Sequence, residues 1–250
     1  GDKPLAPSHY YARLTQRLIA AVSAPTAEGV LYELDLRLRP SGNKGPVATH
    51  VESFRKYQRE EAWTWEHMAL TRARAIAGGK AFCERVEGEV AEILARPREA
   101  GKVFADAAEM RAVLAREKPP RDIWDLKLIP GGQIDLEFIA QCARLTGAIV
   151  PDAWPPTSTG DTLARLSPDF CPAHIRDELV AAYELYLTLT QIVRLCLTGP
   201  LDPKDVPPGL ADLLLRDTDL PDLSVLEAHI GETASRVKAH FDVLVGGGRS

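Results

Sequence analysis

The chain has no paired CxxC cysteines and no HExxH, GxSxG, Walker A or GxGxxG string. Each absence removes a class of chemistry. Zinc hydrolysis, serine-nucleophile catalysis and the common phosphate loops lose their usual sequence supports. No apolar run approaches the roughly 20 residues that span a bilayer, so a membrane protein is not expected. The opening residues, Gly1-Asp2-Lys3-Pro4-Leu5-Ala6-Pro7, lack the charged-then-apolar pattern of a secretion signal. Cys83, Cys142, Cys171 and Cys196 are scattered along the chain. That spacing suits reduced thiols in the cytoplasm better than a disulfide framework. An overall excess of positive charge is also missing. Residues 1–120 carry 19 Lys+Arg against 16 Asp+Glu, and residues 121–250 carry 11 against 19. An acidic second half argues against general binding to a nucleic-acid backbone.

What is present is an ordinary globular composition: 45% hydrophobic and 26% charged over 250 residues. That length supports one large domain or two modest ones. Helical periodicity dominates. Ser8 is placed to cap a first helix carrying Tyr11, Leu14, Leu18 and Val22 on one face. Further helices are expected from Val51, around Phe82–Leu94, over 105–116 and 133–146, then near 173–198, 209–216 and 222–245. Ile123–Ile129 reads as a short strand or an extended lead-in to Pro130-Gly131-Gly132. The expected division lies at Pro119-Pro120, where the charge balance changes. No internal repeat or low-complexity tract is present.

One segment departs from the helical pattern. In Val30–Pro40, Leu34, Leu36 and Leu38 alternate with Glu33, Asp35, Arg37 and Arg39. Period two predicts a strand with one buried face. The polar face then carries a carboxylate beside two guanidiniums. Arginine forks match phosphate oxygens, and a carboxylate can hold Mg²⁺. A solvated face of alternating salt bridges explains the same spacing and is commoner. The string Glu60-Glu61-Ala62-Trp63-Thr64-Trp65-Glu66-His67 is read as a helix that docks its tryptophans in a core and leaves its glutamates in water. The competing reading makes it a wall of a binding site. Arg72 and Arg74 repeat the every-second-residue spacing and extend the anion site or stand as surface arginines. A second candidate site joins Lys127 to Gly131-Gly132 and a helix bearing Asp135 and Glu137. Its helix N-terminus offers amides to an anion, and its two acids equally suit the helix dipole. The six histidines show no ligand spacing and are read as surface or packing residues.

Three strings taken in order are specific. They are Leu31–Gly42, the Tyr57–Arg74 stretch with Glu-Ala-Trp-Thr-Trp-Glu-His at its centre, and Gly131-Gly132-x-Ile134-Asp135-Leu136-Glu137-Phe138. Together they closely resemble glutamine-synthetase adenylyltransferase, a two-halved bacterial enzyme that pairs a nucleotidyltransferase domain with a helical bundle in each half. The Ser41-Gly42 pair and the double-tryptophan string resemble the C-terminal, adenylylating half rather than the half that removes AMP. The resemblance implies a mainly α fold: the remnant of a nucleotidyltransferase α/β domain over 1–120, followed by a helical bundle over 121–250. It implies transfer of AMP from ATP, with Mg²⁺, to a tyrosine hydroxyl of glutamine synthetase. The signal protein PII would be the regulatory partner of the full enzyme.

By the same resemblance Asp35 matches a catalytic, metal-binding carboxylate. Arg37, Arg39, Ser41, Gly42, Arg72 and Arg74 match the nucleotide- and phosphate-binding side. The family's paired-aspartate turn is absent from these 250 residues and is expected upstream of residue 1. The chain is therefore expected to be truncated at its N-terminus, to be inactive alone, and to leave its 30–39 strand with open edges. A non-catalytic, protein-binding helical module and a relative of the PII uridylyltransferase are the alternatives. The double-tryptophan string speaks against the second of these.

Overall fold

The computed structural model describes residues 6–30, 34–150 and 158–247. Among them the fold is mainly α, with ten helices and a two-stranded hairpin. Backbone packing divides the chain into two units. The first comprises Gly1–Leu70 and Ala75–Leu94, the second Thr71–Arg74 and Ala95–Ser250. The charge change at Pro119-Pro120 falls inside the second of these.

The first unit opens with α1, Pro7–Val22. Its N-cap is Ala6, and Pro7 occupies the first turn, where a missing N–H costs no helix hydrogen bond. Ser8 therefore lies inside the helix instead of capping it. α1 has no buried residue, and its apolar Tyr11, Leu14 and Leu18 are exposed. A two-residue hairpin follows, β1 (Pro25–Thr26) against β2 (Gly29–Val30), antiparallel. Of the strand expected over 30–39 only Val30 is in a strand, and 34–39 form none. Residues 34–36 have no regular structure and 37–40 turn, while Leu31, Tyr32 and Glu33 lie outside the described residues. Alternation alone does not make a strand: the backbone needs a ladder partner, and β2 is the partner of β1 alone. Leu34 is exposed and Leu38 is 60% exposed, so no face is buried.

α2 (Val51–Glu60), α3 (Thr64–Leu70) and α4 (Lys80–Leu94) complete the unit. α4 packs against both α2 and α3. Arg55 of α2 pairs with the buried Glu89 of α4, Arg59 with Glu92, and Arg85 with Glu52. The buried apolar residues here are few: Met68, Ile93 and Leu94.

The second unit is a helical bundle with a conventional core. It contains α5 (Ala100–Glu117), α6 (Gln133–Leu145), α7 (Thr159–Ala164), α8 (Ala173–Cys196), α9 (Pro208–Thr218) and α10 (Leu223–Leu244). α6 is the hub and packs against α5, α7, α8 and α10. Ile134, Leu136, Ile139, Ala140, Cys142, Ala143 and Leu145 are all buried on it. Each large apolar side chain so enclosed contributes about 1.5–3 kcal/mol. Burial also pushes the Cys142 thiol up to about 12, so it packs as a small apolar group.

Two helix starts carry side-chain caps. The Ser158 hydroxyl accepts the Asp161 N–H at the start of α7, and Asp222 Oδ1 accepts the Val225 N–H at the start of α10. α8 is long and apolar enough, by length and composition, to cross a membrane. Here it packs against α6, α7, α9 and α10 through Leu179, Ala182, Tyr186 and Leu189. The segment before α6 is a series of turns over 121–132, neither strand nor extended.

Candidate functional site

The loop that follows residue 34 holds most of the residues selected for phosphate chemistry. Asp35 accepts hydrogen bonds from the Arg37 backbone N–H (2.9 Å), from Nε (3.0 Å) and from Nη2 (2.6 Å). Both side chains are exposed. The guanidinium hydrogen bond, joined by the backbone one, lowers the Asp35 carboxyl to about 2. Arg39 faces the other way. Its guanidinium donates to the carbonyls of Leu36 (2.7 Å), Asn43 (3.2 Å) and Gly45 (3.1 Å). It staples the loop and has little left for a ligand. Ser41 (φ 60°) and Gly42 (φ 52°) both take left-handed conformations in the turn, and Gly42 N–H donates to the Arg39 carbonyl. Glycine meets this demand without strain and serine does not. Of the two loop arginines, Arg37 is thus the one presented to solvent.

The aromatic string is arranged opposite to expectation. Trp63 is 71% exposed and Trp65 is also exposed, whereas Glu66 is buried. The reason is a capping exchange. Glu66, in the first turn of α3, accepts the Trp63 backbone N–H (2.9 Å) and the Tyr57 hydroxyl (2.9 Å). His67 lies within 2.9 Å of the Gln58 carbonyl. Burial and then Glu66 raise the Tyr57 phenol. Through Glu66, Tyr57 of α2 is tied to the start of α3. This network carried no spacing signal beyond the Glu three residues after Trp63.

In the second unit Arg72 donates to Glu137 at 3.1 Å. Arg74 is exposed and has no ion-pair partner among the described residues. The Gly131-Gly132 turn does not present free amides. Gly131 N–H donates to Asp135 Oδ2, Gly132 N–H to the Ile129 carbonyl, Gln133 N–H to Leu126 and Ile134 N–H to Lys127. The reading of this helix start as an amide cradle for an anion is therefore corrected: loop carbonyls already satisfy it.

Asp135 itself is fully buried and paired with Arg111 of α5 at 2.5 Å, and Arg111 also donates to the Ile129 carbonyl. Gly131 has φ 79°, and a Cβ there would strike the Ala234 carbonyl of α10. Gly132 is equally hemmed in by the Leu126 carbonyl. Arg111 was not selected from the sequence. Its signal was present, because it follows Val103 and Ala107 at four-residue steps on the buried face of α5. Lys127 is exposed and lines a cleft.

Among the described residues no three His, Cys, Asp or Glu side chains gather into a metal group. Asp35, held by Arg37 on both oxygens, supplies one carboxylate. These residues do not by themselves form a resident metal centre.

Comparison with known proteins gives this loop a context. Residues 1–89 match the family model of glutamate-ammonia ligase adenylyltransferase. The chain is 66% identical over 250 residues to the bifunctional glutamine synthetase adenylyltransferase/adenylyl-removing enzyme of Mesorhizobium japonicum. The likeness runs from end to end. The enzyme of the same name from Brucella suis is 57% identical over 248 residues, 99% of this chain, and that from Rhizobium meliloti is 51% identical over 247 residues, 98% of it. The chain spans about a quarter of the length of these relatives, 25% in each. The resemblance drawn from three strings thus extends over the whole chain, the stretch after residue 150 included. None of these relatives is named as a uridylyltransferase.

Proposed function

We propose that this chain is a portion of an adenylyltransferase that moves AMP from ATP to a tyrosine hydroxyl of glutamine synthetase. The carrying observation is identity of 66% along the full 250 residues to an enzyme of that name. In such a transfer the hydroxyl oxygen bonds to the α-phosphorus, the α–β phosphoanhydride bond breaks, and pyrophosphate leaves. Charge grows on phosphate oxygens, and preplaced cations stabilise it.

Arg37 is assigned that task, because it is the exposed guanidinium of the loop. Arg39, Ser41 and Gly42 set the loop's shape, and Asp35 orients Arg37. Arg72 and Arg74 are assigned to the same anion chemistry on their own unit. Glu137 orients Arg72. Mg²⁺ belongs to the proposal only as the ion that travels with ATP. The signal protein PII as regulator, and a cytoplasmic setting, belong to the same reading.

The 250 residues contain no Gly-Ser pair leading into two aspartates at alternate positions; their one Asp-x-Asp, Asp217-Thr218-Asp219, closes α9. The chain by itself is therefore assigned binding of the nucleotide and not completion of the transfer. Photolabelling with an azido-ATP tests this. Label is expected on the loop around residues 34–45, and Arg37→Ala is expected to reduce it severalfold. No AMP is expected on glutamine synthetase incubated with the chain and MgATP. Absence of label from the loop overturns the assignment of Arg37, and AMP transfer by the chain alone overturns the division of labour.

A further inference from the structure

A cleft in the second unit is not used by this chemistry. It encloses about 370 Å³, more than the grooves beside α8 and α10 (about 140 Å³) or α5 and α10 (about 210 Å³). Small-molecule sites commonly begin near 300 Å³. Its walls are the 121–127 turns, Gln133 at the start of α6, and the end of α8 running into Leu201.

The charge of this cleft is anomalous. Residues 121–250 carry 19 acids against 11 Lys+Arg. Three of those cations, Arg121, Lys127 and Arg194, line this one cavity with a single carboxylate, Asp125. Arg121 reaches Asp125 only at 3.8 Å. The side chains of Lys127 and Arg194 are exposed and have no ion-pair or hydrogen-bond partner among the described residues. Elsewhere in the unit Arg111, Arg176 and Lys238 are paired to carboxylates. Polar groups of the right kind stand beside them: the Gln133 side-chain amide donates to the Thr190 hydroxyl at 3.3 Å, and Thr198 is on the rim. The Trp124 indole N–H is occupied by Glu227 at 2.7 Å, so Trp124 is a wall and not a donor. The α6 amides are bonded to carbonyls, which leaves recognition to side chains.

We propose that this cleft binds a small phosphate-bearing anion through Lys127, Arg194 and Arg121. A monocarboxylate would satisfy one of these cations. The several oxygens of a phosphate or pyrophosphate satisfy all three, and guanidinium forks fit them in pairs. The remaining volume accepts a group attached to the phosphate. Free pyrophosphate and the phosphate end of a nucleotide are two sources of this same chemistry. The inference stands apart from the role given to Arg37.

The test is an amide-shift titration of the isotopically labelled chain with pyrophosphate, AMP, ATP and adenosine. Pyrophosphate and at least one nucleotide are expected to shift amides of residues 121–133 and 190–201, and adenosine is not. Tight binding of pyrophosphate identifies a free polyphosphate. Tighter binding of AMP or ATP identifies a nucleotide. Either supports the shared chemistry. Lys127→Ala and Arg194→Ala are each expected to weaken binding about tenfold, the effect of losing one charge-assisted contact. Both side chains are exposed, and circular dichroism confirms that the variants keep their helices. Arg37→Ala is expected to leave the affinity of this cleft unchanged. No shift in these amides at millimolar pyrophosphate overturns the proposal. So does an unchanged affinity in both Lys127→Ala and Arg194→Ala, or an equal response to adenosine.

Discussion

The two units reach order by different means. Between α2 and α4 the ties are ionic: Arg55 to Glu89, Arg59 to Glu92 and Arg85 to Glu52. Around α6 they are apolar, with a single buried ion pair, Arg111–Asp135, at the centre. The second arrangement is the more durable, because enclosed apolar side chains each contribute about 1.5–3 kcal/mol, while a partly exposed ion pair contributes about 0–1 kcal/mol and weakens as salt rises. The difference also sorts the candidate residues. Arg37 sits on a loop of the unit with few buried apolar side chains, whereas Lys127 stands beside the Gly131-Gly132 turn, which the Ala234 and Leu126 carbonyls hem in.

The largest effect is expected from Asp135→Ala. It strands Arg111 in the interior and is expected to cost about 3–5 kcal/mol. Chemical denaturation of the second unit measures it, and a loss below 1 kcal/mol would show that the apolar packing around α6 does not depend on this pair. Next comes Glu89→Gln in the first unit. Its partner Arg55 is partly exposed, so about 1–2 kcal/mol is expected. Hydrogen exchange should show α2 and α4 opening more often while α6 and α10 are unchanged. Equal loosening of both units would erase the contrast.

Tyr186→Phe is expected to be neutral or to stabilise by about 1 kcal/mol, because the buried hydroxyl has no partner among the described residues. A melting temperature that falls would show that the hydroxyl is satisfied. The smallest effect concerns pH. Asp35 is lowered from its ordinary value to about 2 by Arg37. A depressed carboxylate contributes fully above its unfolded value near 3.8 and loses that contribution as pH falls through about 2. A carboxyl carbon titration by NMR should place the Asp35 midpoint near 2. A midpoint near 4 would mean that the pair does not form in solution.

Helices were legible wherever an apolar stripe met a partner. The stripes of α6, α8 and α10 were read to within a few residues because their burial coincides with their period. The 30–39 strand was misread because alternation reports which side chains could share a face, not whether a neighbouring strand exists to bury it. The tryptophans were misread for a related reason. Residue type favoured burial, yet Glu66 obtained two strong donors and took the interior position, leaving Trp63 outside. Gly131 was legible as a break, but its necessity was not. The carbonyl that excludes a side chain there belongs to Ala234, about a hundred residues further on. Arg37 and Lys127 were found from charge pattern, and their availability became visible only once the bonds of Arg39 and of the α6 amides were known.

The close approach of Gly131 to α10 has a consequence for how the protein is made. Trp124 is likewise joined to Glu227, 103 positions away. The turn that carries Lys127 is therefore completed only when the last helix docks. Synthesis releases α5 and α6 well before α10 exists, so this turn stays unfinished until α10 has emerged. Pairings of such long range close slowly, and during that interval the apolar stripe of α6 is open to chaperones and to aggregation.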